Sequence, residues 1–558
     1  MASILSAAGL VPTADAIAAD VTLLMTCSIR EKAEARVAAR LVQLRAERAA
    51  ARPSRRAVKR AAREEARGRG APPRPLTPPA PPPLLGVLGC MAERVRGRLV
   101  AGGLADVVAG PDAYRGLPGL VAAAASAQRS RHGPARAPLQ PPPAAAAAAV
   151  VDTSLSLTET YADIVPARAP GSVSARLTIS RGCDSHCAFC VVPHTRGAER
   201  SRPLGGLVAE AARLFHEEGV REVTLLGQNV TSWVDWSGAG PGAQAAARAA
   251  ARALGPARAA AAAFAPGFTS ALLPVRGAGT PAAAFPDLVA AIAAISPELR
   301  VRFSSPHPRD FTPALIAAVA STPNVARAVH LPAQSGSSAV LARMGRGYSR
   351  EAYDGLVASV RAALPRVGLS TDVIVGFCGE TAGDHEATLG LLRAHAFDAA
   401  YLFAYSTRPR TKAARVLQDD VPAGLKAARL AEVVAVFRGA LAERSAAEVG
   451  RVHLVLVDGP ARRGGGEGGD GGGDGAAALL TGRTSTGRRV LFPPPGGPPT
   501  SPPLRPGAYA AVRVMVGLPG SLRGEVVSVV TAEEWFSAHG GEAWVEEGEG
   551  GGERRRAA

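Results

Sequence analysis

Between residues 172 and 410 short apolar runs alternate with longer stretches in which apolar positions return every three or four residues. The runs Ala175–Ile179, Glu222–Leu226, Val301–Ser304, Ala328–Leu331, Leu369–Val375 and Ala400–Phe403 have the length of buried strands. The stretches Leu204–Glu218, Asp287–Ile295, Pro313–Ala320, Glu351–Ala363 and Ala382–Ala394 carry the helical repeat. Strand followed by helix, about six times over, predicts a parallel sheet curved into a partial (β/α)6 barrel.

Two further blocks flank this one. In residues 1–125, Met1–Ala8 reads as the end of a helix and Asp20–Met25 as a buried strand reaching Cys27. A helix is expected from about Ile29, a second strand at Leu84–Leu88 ending in Gly89-Cys90, and a third at Asp106–Ala109. That is an open α/β sheet with cysteines at strand C-termini, where such sheets gather their ligands. In residues 448–532, Val452–Leu456, Arg489–Phe492 and Tyr509–Val516 lie between Gly/Pro turns and predict a small β-barrel. Runs of Arg, Pro, Ala or Gly near 50–83, 134–149, 238–284, 461–478 and 493–506 read as solvated inserts, and residues 533–558 as a disordered tail. The expected domains are therefore 1–125 with an insert at 50–83, 172–440 with an insert at 238–284, and 448–532.

Composition changes this picture in two ways. Hydrophobic residues make up 47% of the 558, but alanine inflates the figure and aromatics are 4%, so the core is smaller than the length suggests. The net charge of +17 favours a polyanionic partner such as RNA, although nine basic residues from Arg52 to Arg74, against Glu64 and Glu65, fall in one apparent insert. Six cysteines in so long a chain exclude a disulfide framework. No run is long and apolar enough for a transmembrane helix, so no membrane role is expected. The N-terminus lacks the basic start of a secretory signal and the arginines of a transit peptide.

The chemistry is concentrated in Arg181-Gly182-Cys183-Asp184-Ser185-His186-Cys187-Ala188-Phe189-Cys190, a C-x3-C-x2-C run placed after the first barrel strand. Three thiolates at this spacing suit three corners of a 4Fe–4S cube and leave the fourth iron open to a substrate or cofactor. Zinc with His186 or His194 as fourth ligand is the alternative, but structural zinc uses paired halves and no second half is visible.

Residues 174–234 resemble the radical S-adenosylmethionine methylthiotransferases, specifically the MiaB-type tRNA enzymes. The matching text is Arg181–Cys190, Val191–Gly197, Glu199–Pro203 and Glu222–Val230. The resemblance continues at Thr26–Glu34, Leu88–Arg94, Gly110–Arg115, Arg302–Asp310, His330–Ser338 and Ser370–Thr381, nearly the whole chain outside the inserts. Gly376-Phe377-Cys378-Gly379-Glu380-Thr381, Phe403–Ser406, Asp419–Pro422 and Leu157–Asp163 are similar to the eukaryotic branch named for association with a cyclin-dependent kinase regulatory subunit. The Thr26–Glu34 and Glu199–Pro203 segments resemble the ribosomal-protein and threonylcarbamoyladenosine methylthiotransferases less well.

The resemblance implies an activity. An open iron held by Cys183, Cys187 and Cys190 chelates S-adenosylmethionine, whose reductive cleavage gives a 5′-deoxyadenosyl radical. The radical takes hydrogen from C2 of N6-isopentenyladenosine at position 37 of tRNA, and a methylthio group is inserted there. It also implies an electron donor, a sulfur donor, a monomer, a largely mitochondrial address (plastid and cytosol being the other possibilities), and a C-terminal TRAM domain that binds RNA. In that domain Leu480–Thr484 and Ser521–Glu525 carry the likeness, and Arg483, Arg488, Arg489, Arg513 and Arg523 are candidate phosphate contacts.

A second 4Fe–4S cluster is implied, with Cys27 and Cys90 matching two of its three ligands. Met1 aligns with the middle of the family's first helix, so the expectation is that the first strand and the third ligand are missing from this sequence, with any targeting segment. The cluster should then be labile or absent. Met25 stands where the family usually has Asn, and Cys378 is expected to have no ligand role. Gln228, Ser304, Gln334 and Asp372 lie at predicted strand ends and are candidate cofactor-binding residues, as are His307 and Ser335; helix capping is the competing role for such polar residues. The alternative function is a non-catalytic regulator that binds RNA or a kinase partner and retains one cluster. The intact cysteine loop argues against it.

Overall fold

The computed structural model describes residues 1–28, 31–51, 83–132, 149–237, 267–268, 283–461, 479–495, 504–542 and 544–546. Most of each run read above as an insert lies outside them. The chain forms two compact units, 1–167 with 191–198, and 168–190 with 199–558.

The first unit is a parallel sheet in the order β1 (Val21–Thr26), β2 (Leu84–Gly89), β3 (Val107–Ala109) and β4 (Val150–Asp152). Apolar side chains cover both faces: Leu85, Val87 and Val108 pack with Leu41, Leu44 and Leu99, while Leu84, Leu88 and Val107 pack with Leu117 and Val121. Burial on both faces is why β2 reads as an unbroken apolar run. The expected boundary at 125 falls inside the helix Leu117–His132, and β4 lies beyond it. A three-residue edge strand that follows a Pro/Ala run carries no periodicity to reveal it.

The second unit opens with β5 (Ser174–Thr178), followed by a short antiparallel pair of β6 (Ser180–Arg181) and β7 (Arg200–Ser201). Then come β8 (Glu222–Leu226), a short pair β9 (Val234–Asp235) and β10 (Ala283–Ala284), β11 (Arg300–Phe303), β12 (Ala328–His330), β13 (Gly368–Val375) and β14 (Ala399–Ala404). The parallel sheets β5-β8-β11 and β12-β13-β14 are linked by a parallel bridge from Val301 to Val325, giving the expected partial six-stranded barrel. Outward-facing Leu177, Val223, Leu225, Val301, Val329, Leu369 and Val373 bury against the helices. The stretch 238–284 is not wholly a solvated insert. Phe268 is buried, bridges to Tyr348 and packs against its ring at 5.7 Å, tilted by 44°, and Ala283–Ala284 pairs with β9.

The long helix Ala423–Ala446 leads to a closed barrel of β15 (Val452–Pro460), β16 (Leu480–Thr484), β17 (Arg489–Phe492), β18 (Tyr509–Leu518) and β19 (Ser521–Val530). A final strand, β20 (Trp544–Val545), pairs with the start of β15. The expectation of a disordered tail from 533 is corrected. Ala532–Ala538 is a helix capped by Thr531 and Glu534, anchored by buried Trp535 and Trp544; only 543 and 547–558 lie outside the described residues.

The β16–β17 turn closes the bottom of the partial barrel. Arg302 donates to the Thr484 and Ser485 carbonyls at 2.7 and 3.2 Å, Arg300 to those of Arg483 and Leu454 at 2.8 and 3.4 Å, and the Arg327 amide to Ser485 Oγ at 3.0 Å. Gly368 is required here, since a Cβ would strike the Thr486 carbonyl. Arg488 is not free for phosphate as expected: buried, it bonds Asp398 at 2.9 Å and Ser445 Oγ at 2.9 Å.

At the start of the C-terminal barrel, Glu448 and His453 form a buried pair at 2.7 Å. Burial works to raise the Glu448 pKa, but the bond to His453 and the charges of His453, Arg488 and Arg451 bring it to about 2, from an ordinary 4.5. A depressed carboxyl contributes stability that is present above its unfolded pKa and lost as pH falls through the folded one. Thermal melts should therefore show Glu448 stabilising the chain by on the order of 3 kcal/mol near neutrality. That margin over Glu448→Gln should shrink from about pH 4.5 and be gone near pH 2; a margin independent of pH would refute it.

Candidate active site: the three-cysteine loop

The cysteine loop leaves β6 at Gly182, whose φ of +77° suits glycine. Its amide donates to Gln228 Oε1 at 2.7 Å, so the Gln228 carboxamide positions the loop. Further along, the loop is strapped through Ala188: its amide donates to the Met344 carbonyl at 2.7 Å, and its carbonyl accepts from the Ala413 amide at 2.8 Å. Gly345, at φ +67°, lets the backbone approach, since a Cβ there would meet the His186 carbonyl at 3.2 Å.

The three sulfurs differ in surroundings. Cys183 is buried and accepts from the Ser185 amide at 3.4 Å; burial first, and Glu199 second, push its thiol up to about 12. Cys187 is half-buried and faces two N–H groups, Arg346 Nη1 at 3.2 Å and His307 Nε2 at 3.8 Å. His307 Nδ1 accepts from the Arg309 amide at 3.2 Å, which leaves the ring proton on Nε2. Burial, then Arg346 and Arg309, push His307 well below the usual histidine range, so the ring is neutral. Cys190 is half-buried, with its amide on the Cys187 carbonyl at 3.0 Å.

The rim at the strand C-termini is held in unusual backbone. Ser305 and Gln334 follow β11 and β12 with φ of +62° and +71°, a region that costs non-glycine residues of order 1–3 kcal/mol and gathers at functional sites. Asn229 Nδ2 donates to Asp310 at 2.8 Å, while Asn229 Oδ1 and Thr231 Oγ1 accept from the His307 amide at 3.2 and 3.0 Å, knitting β8 to β11.

Of the other expected contacts, Gln334 is buried and extends β12, its amide on the Asp372 carbonyl at 2.8 Å. Ser304 is half-buried with its amide on the Leu225 carbonyl at 3.2 Å. The Asp372 carboxylate is partly exposed, 3.6 Å from His330 Nε2, and His330 Nδ1 lies 2.9 Å from Ser370 Oγ. Ser335 is turned inward, its hydroxyl on Thr388 Oγ1 and the Ser337 amide, which is a structural use. Arg346 was not anticipated. Its signal was in Met344-Gly345-Arg346-Gly347-Tyr348, a cation between two glycines and before a tyrosine, which marks a tight loop around a charge.

Among the described residues no three or more His, Cys, Asp or Glu converge as on a single metal ion, and His186 is exposed. A cubane binds each thiolate through a different iron, so its ligands need no common point. Three cysteines on one strapped loop, with N–H groups aimed at two of the sulfurs, fit such a cluster.

In the first unit Cys27 and Cys90 each follow the last paired residue of neighbouring parallel strands, Thr26 and Gly89. Cys27 is exposed; Cys90 is buried at the start of the helix Cys90–Ala101 and accepts from Arg196 Nε at 3.2 Å. They are the two cysteines of that unit, one short of the three that would hold a cluster with an open iron.

The sequence model of the Radical SAM superfamily matches residues 177–392, which span the cysteine loop and most of the partial barrel. The mitochondrial tRNA methylthiotransferase CDK5RAP1 of Rattus norvegicus is 41% identical over 463 residues, 83% of this chain and 68% of that protein. The chain belongs to the radical SAM methylthiotransferase family. Further members are the human CDK5RAP1 methylthiotransferase, 38% identical over 83% of this chain and 69% of its own length, and the tRNA-2-methylthio-N(6)-dimethylallyladenosine synthase of Chloroherpeton thalassium, 38% identical over 83% and 82%. In this methylthiotransferase, family membership implies a 4Fe–4S cluster and S-adenosylmethionine.

Proposed function

We propose that this chain is a tRNA methylthiotransferase, placing a methylthio group on C2 of N6-isopentenyladenosine at position 37. The observation that carries this is agreement over 83% of the chain with tRNA methylthiotransferases of two kingdoms of life, with the cysteine loop intact. Cys183, Cys187 and Cys190 would hold the cluster. When bound, it supplies the one-electron cleavage of S-adenosylmethionine that starts radical chemistry.

The chain's own residues do the rest. Gln228 and the Ala188 straps fix the loop, and Ser304, Gln334 and Asp372 present polar groups at the rim for S-adenosylmethionine. The β16–β17 turn closes the barrel floor against water, which protects radical chemistry. Cys27 and Cys90 would supply two ligands of a second cluster that needs one more donor, and no step is derived through it. The sulfur and electrons of the product require a sulfur donor and a reductant. The C-terminal barrel would grip RNA through exposed Arg483, Arg489 and Arg523. The protein would act as a monomer in the mitochondrion, the address in its animal relatives' names.

Nucleoside analysis of tRNA from a strain lacking this gene tests the proposal. The 2-methylthio derivative should disappear while its isopentenyladenosine precursor accumulates; unchanged methylthio levels would overturn it.

A further inference from the structure

Arg346 is buried, 4% exposed, and all three of its donor directions are used. Nε donates to Tyr348 Oη at 3.0 Å, Nη2 to the Pro332 carbonyl at 3.0 Å and Nη1 to Cys187 Sγ at 3.2 Å. Among the described residues no carboxylate lies within ion-pair distance of it. A buried cation facing only neutral groups costs several kcal/mol, so such a charge is built to meet an anion. The direction without a fixed neutral partner is the one through the Cys187 sulfur.

We propose that Arg346 is the built-in counter-charge of the iron–sulfur cluster, raising the potential at which the cluster accepts an electron. This rests on the reading of Cys187 as a cluster ligand. A cubane carrying three thiolates is anionic and gains a further negative charge on reduction, so a fixed cation beside one of its sulfurs favours the reduced form. The fork cannot swing aside. Gly345 and Gly347, at φ +67° and +73°, set the loop, and the guanidinium lies over the Tyr348 ring at 5.4 Å. Tyr348 Oη in turn donates to the Pro332 carbonyl at 2.9 Å, and its ring packs between those of His307 and Tyr353 at 6.0 and 6.1 Å. The neutral His307 adds a second, longer N–H toward the same sulfur.

A purely structural Arg346, tying Pro332 to Tyr348, makes a different prediction for the cluster-free protein. The test uses the full chain and its Arg346→Gln, Arg346→Lys and Tyr348→Phe variants, reconstituted anaerobically. Iron and sulfide content, the midpoint potential from an EPR-monitored titration, and thermal melts with and without cluster are compared. Arg346→Gln should lower the potential and Arg346→Lys should lower it less. Tyr348→Phe, which loosens the fork, should shift it in the same direction by a smaller amount. Without cluster, Arg346→Gln should melt no earlier than the native chain, while the stabilisation gained on loading the cluster should shrink. Unchanged potentials in loaded Gln and Lys variants would overturn the proposal, as would a loss of stability equal with and without cluster. If Arg346→Gln does not fold, the Lys and Phe variants decide by the same potentials. A native chain that takes up no cluster would overturn the reading of the cysteine loop itself, an outcome distinct from a loaded cluster with an unmoved potential.

Discussion

Replacing any one of Cys183, Cys187 or Cys190 by alanine should remove the cluster and reduce methylthiolation to background, a loss of at least ~10⁶-fold. The reason is stoichiometric. One iron must stay open for chemistry, so three thiolates are the fewest that hold the other three, and two leave the cube labile. The fold should survive each change, because the loop is held through backbone groups and Gln228: Gly182 on Gln228, Ala188 on Met344 and Ala413. Stability should move by no more than about 1 kcal/mol without cluster. Cys378→Ala is the matched control. That thiol is buried in one apolar cluster with Tyr405, Phe377 and Ala188 but belongs to a different loop from the three cysteines, and its loss should leave iron content and product unchanged. Iron analysis with Mössbauer spectroscopy, beside quantified product, checks both. A Cys187→Ala protein that retained full iron and turnover would end the assignment.

The second large effect is expected at Glu380. This carboxylate is buried in the loop after β13, where it accepts from the Gly376 amide at 2.7 Å and from Arg429 Nη1 at 2.9 Å; Arg429 also holds the Glu380 carbonyl at 3.0 Å. Gly376 has φ +69° and a Cβ there would strike the Lys426 side chain, and the far side of the same turn is held by Asp420, which accepts from the Gly379 amide at 2.7 Å. Glu380→Leu leaves a buried guanidinium and an orphaned amide and should cost about 3–5 kcal/mol in urea unfolding. Product yield should fall with it, since the loop belongs to the rim around the cluster. Glu380→Leu with Arg429→Met should regain much of the loss, because removing both charges removes the unpaired one. A single-variant cost under about 1 kcal/mol would show the pair to be solvated.

The parts of the molecule legible in the sequence were those where one physical signal dominated. The strands stood out as short runs, apolar or alternating, between stretches with the helical repeat; Asp20–Met25 and Ala175–Ile179 are within a residue of the observed β1 and β5. The cysteine loop was legible because its spacing is chemistry written locally. What was hidden depends on long-range partners. β4 is three residues long and becomes a strand only by pairing with β3. The helix at Ala532–Ala538 is fixed by Trp535 and by the Glu298 carboxylate, which accepts its first amides at 3.1 and 2.9 Å from more than two hundred residues away. Arg488 looked like any surface arginine until Asp398 was seen to claim it. The bond from the Gly182 amide to Gln228 Oε1, across 46 residues, was likewise invisible in the sequence.

The plug formed by the β16–β17 turn has a consequence for how substrate is chosen. Arg300, Arg302 and Arg327, all largely buried, bond it by backbone and hydroxyl groups to the lower ends of two neighbouring strands, β11 and β12. A C-terminal barrel fastened this way is no tethered arm that captures RNA and then delivers it. It is a fixed calliper jaw, standing at a set height from the cysteine loop at the opposite end of the strands. Under the proposed function, RNA gripped on its arginines would be measured against that height, so a nucleotide would be presented to the cluster by its distance along the folded RNA as well as by its own chemistry.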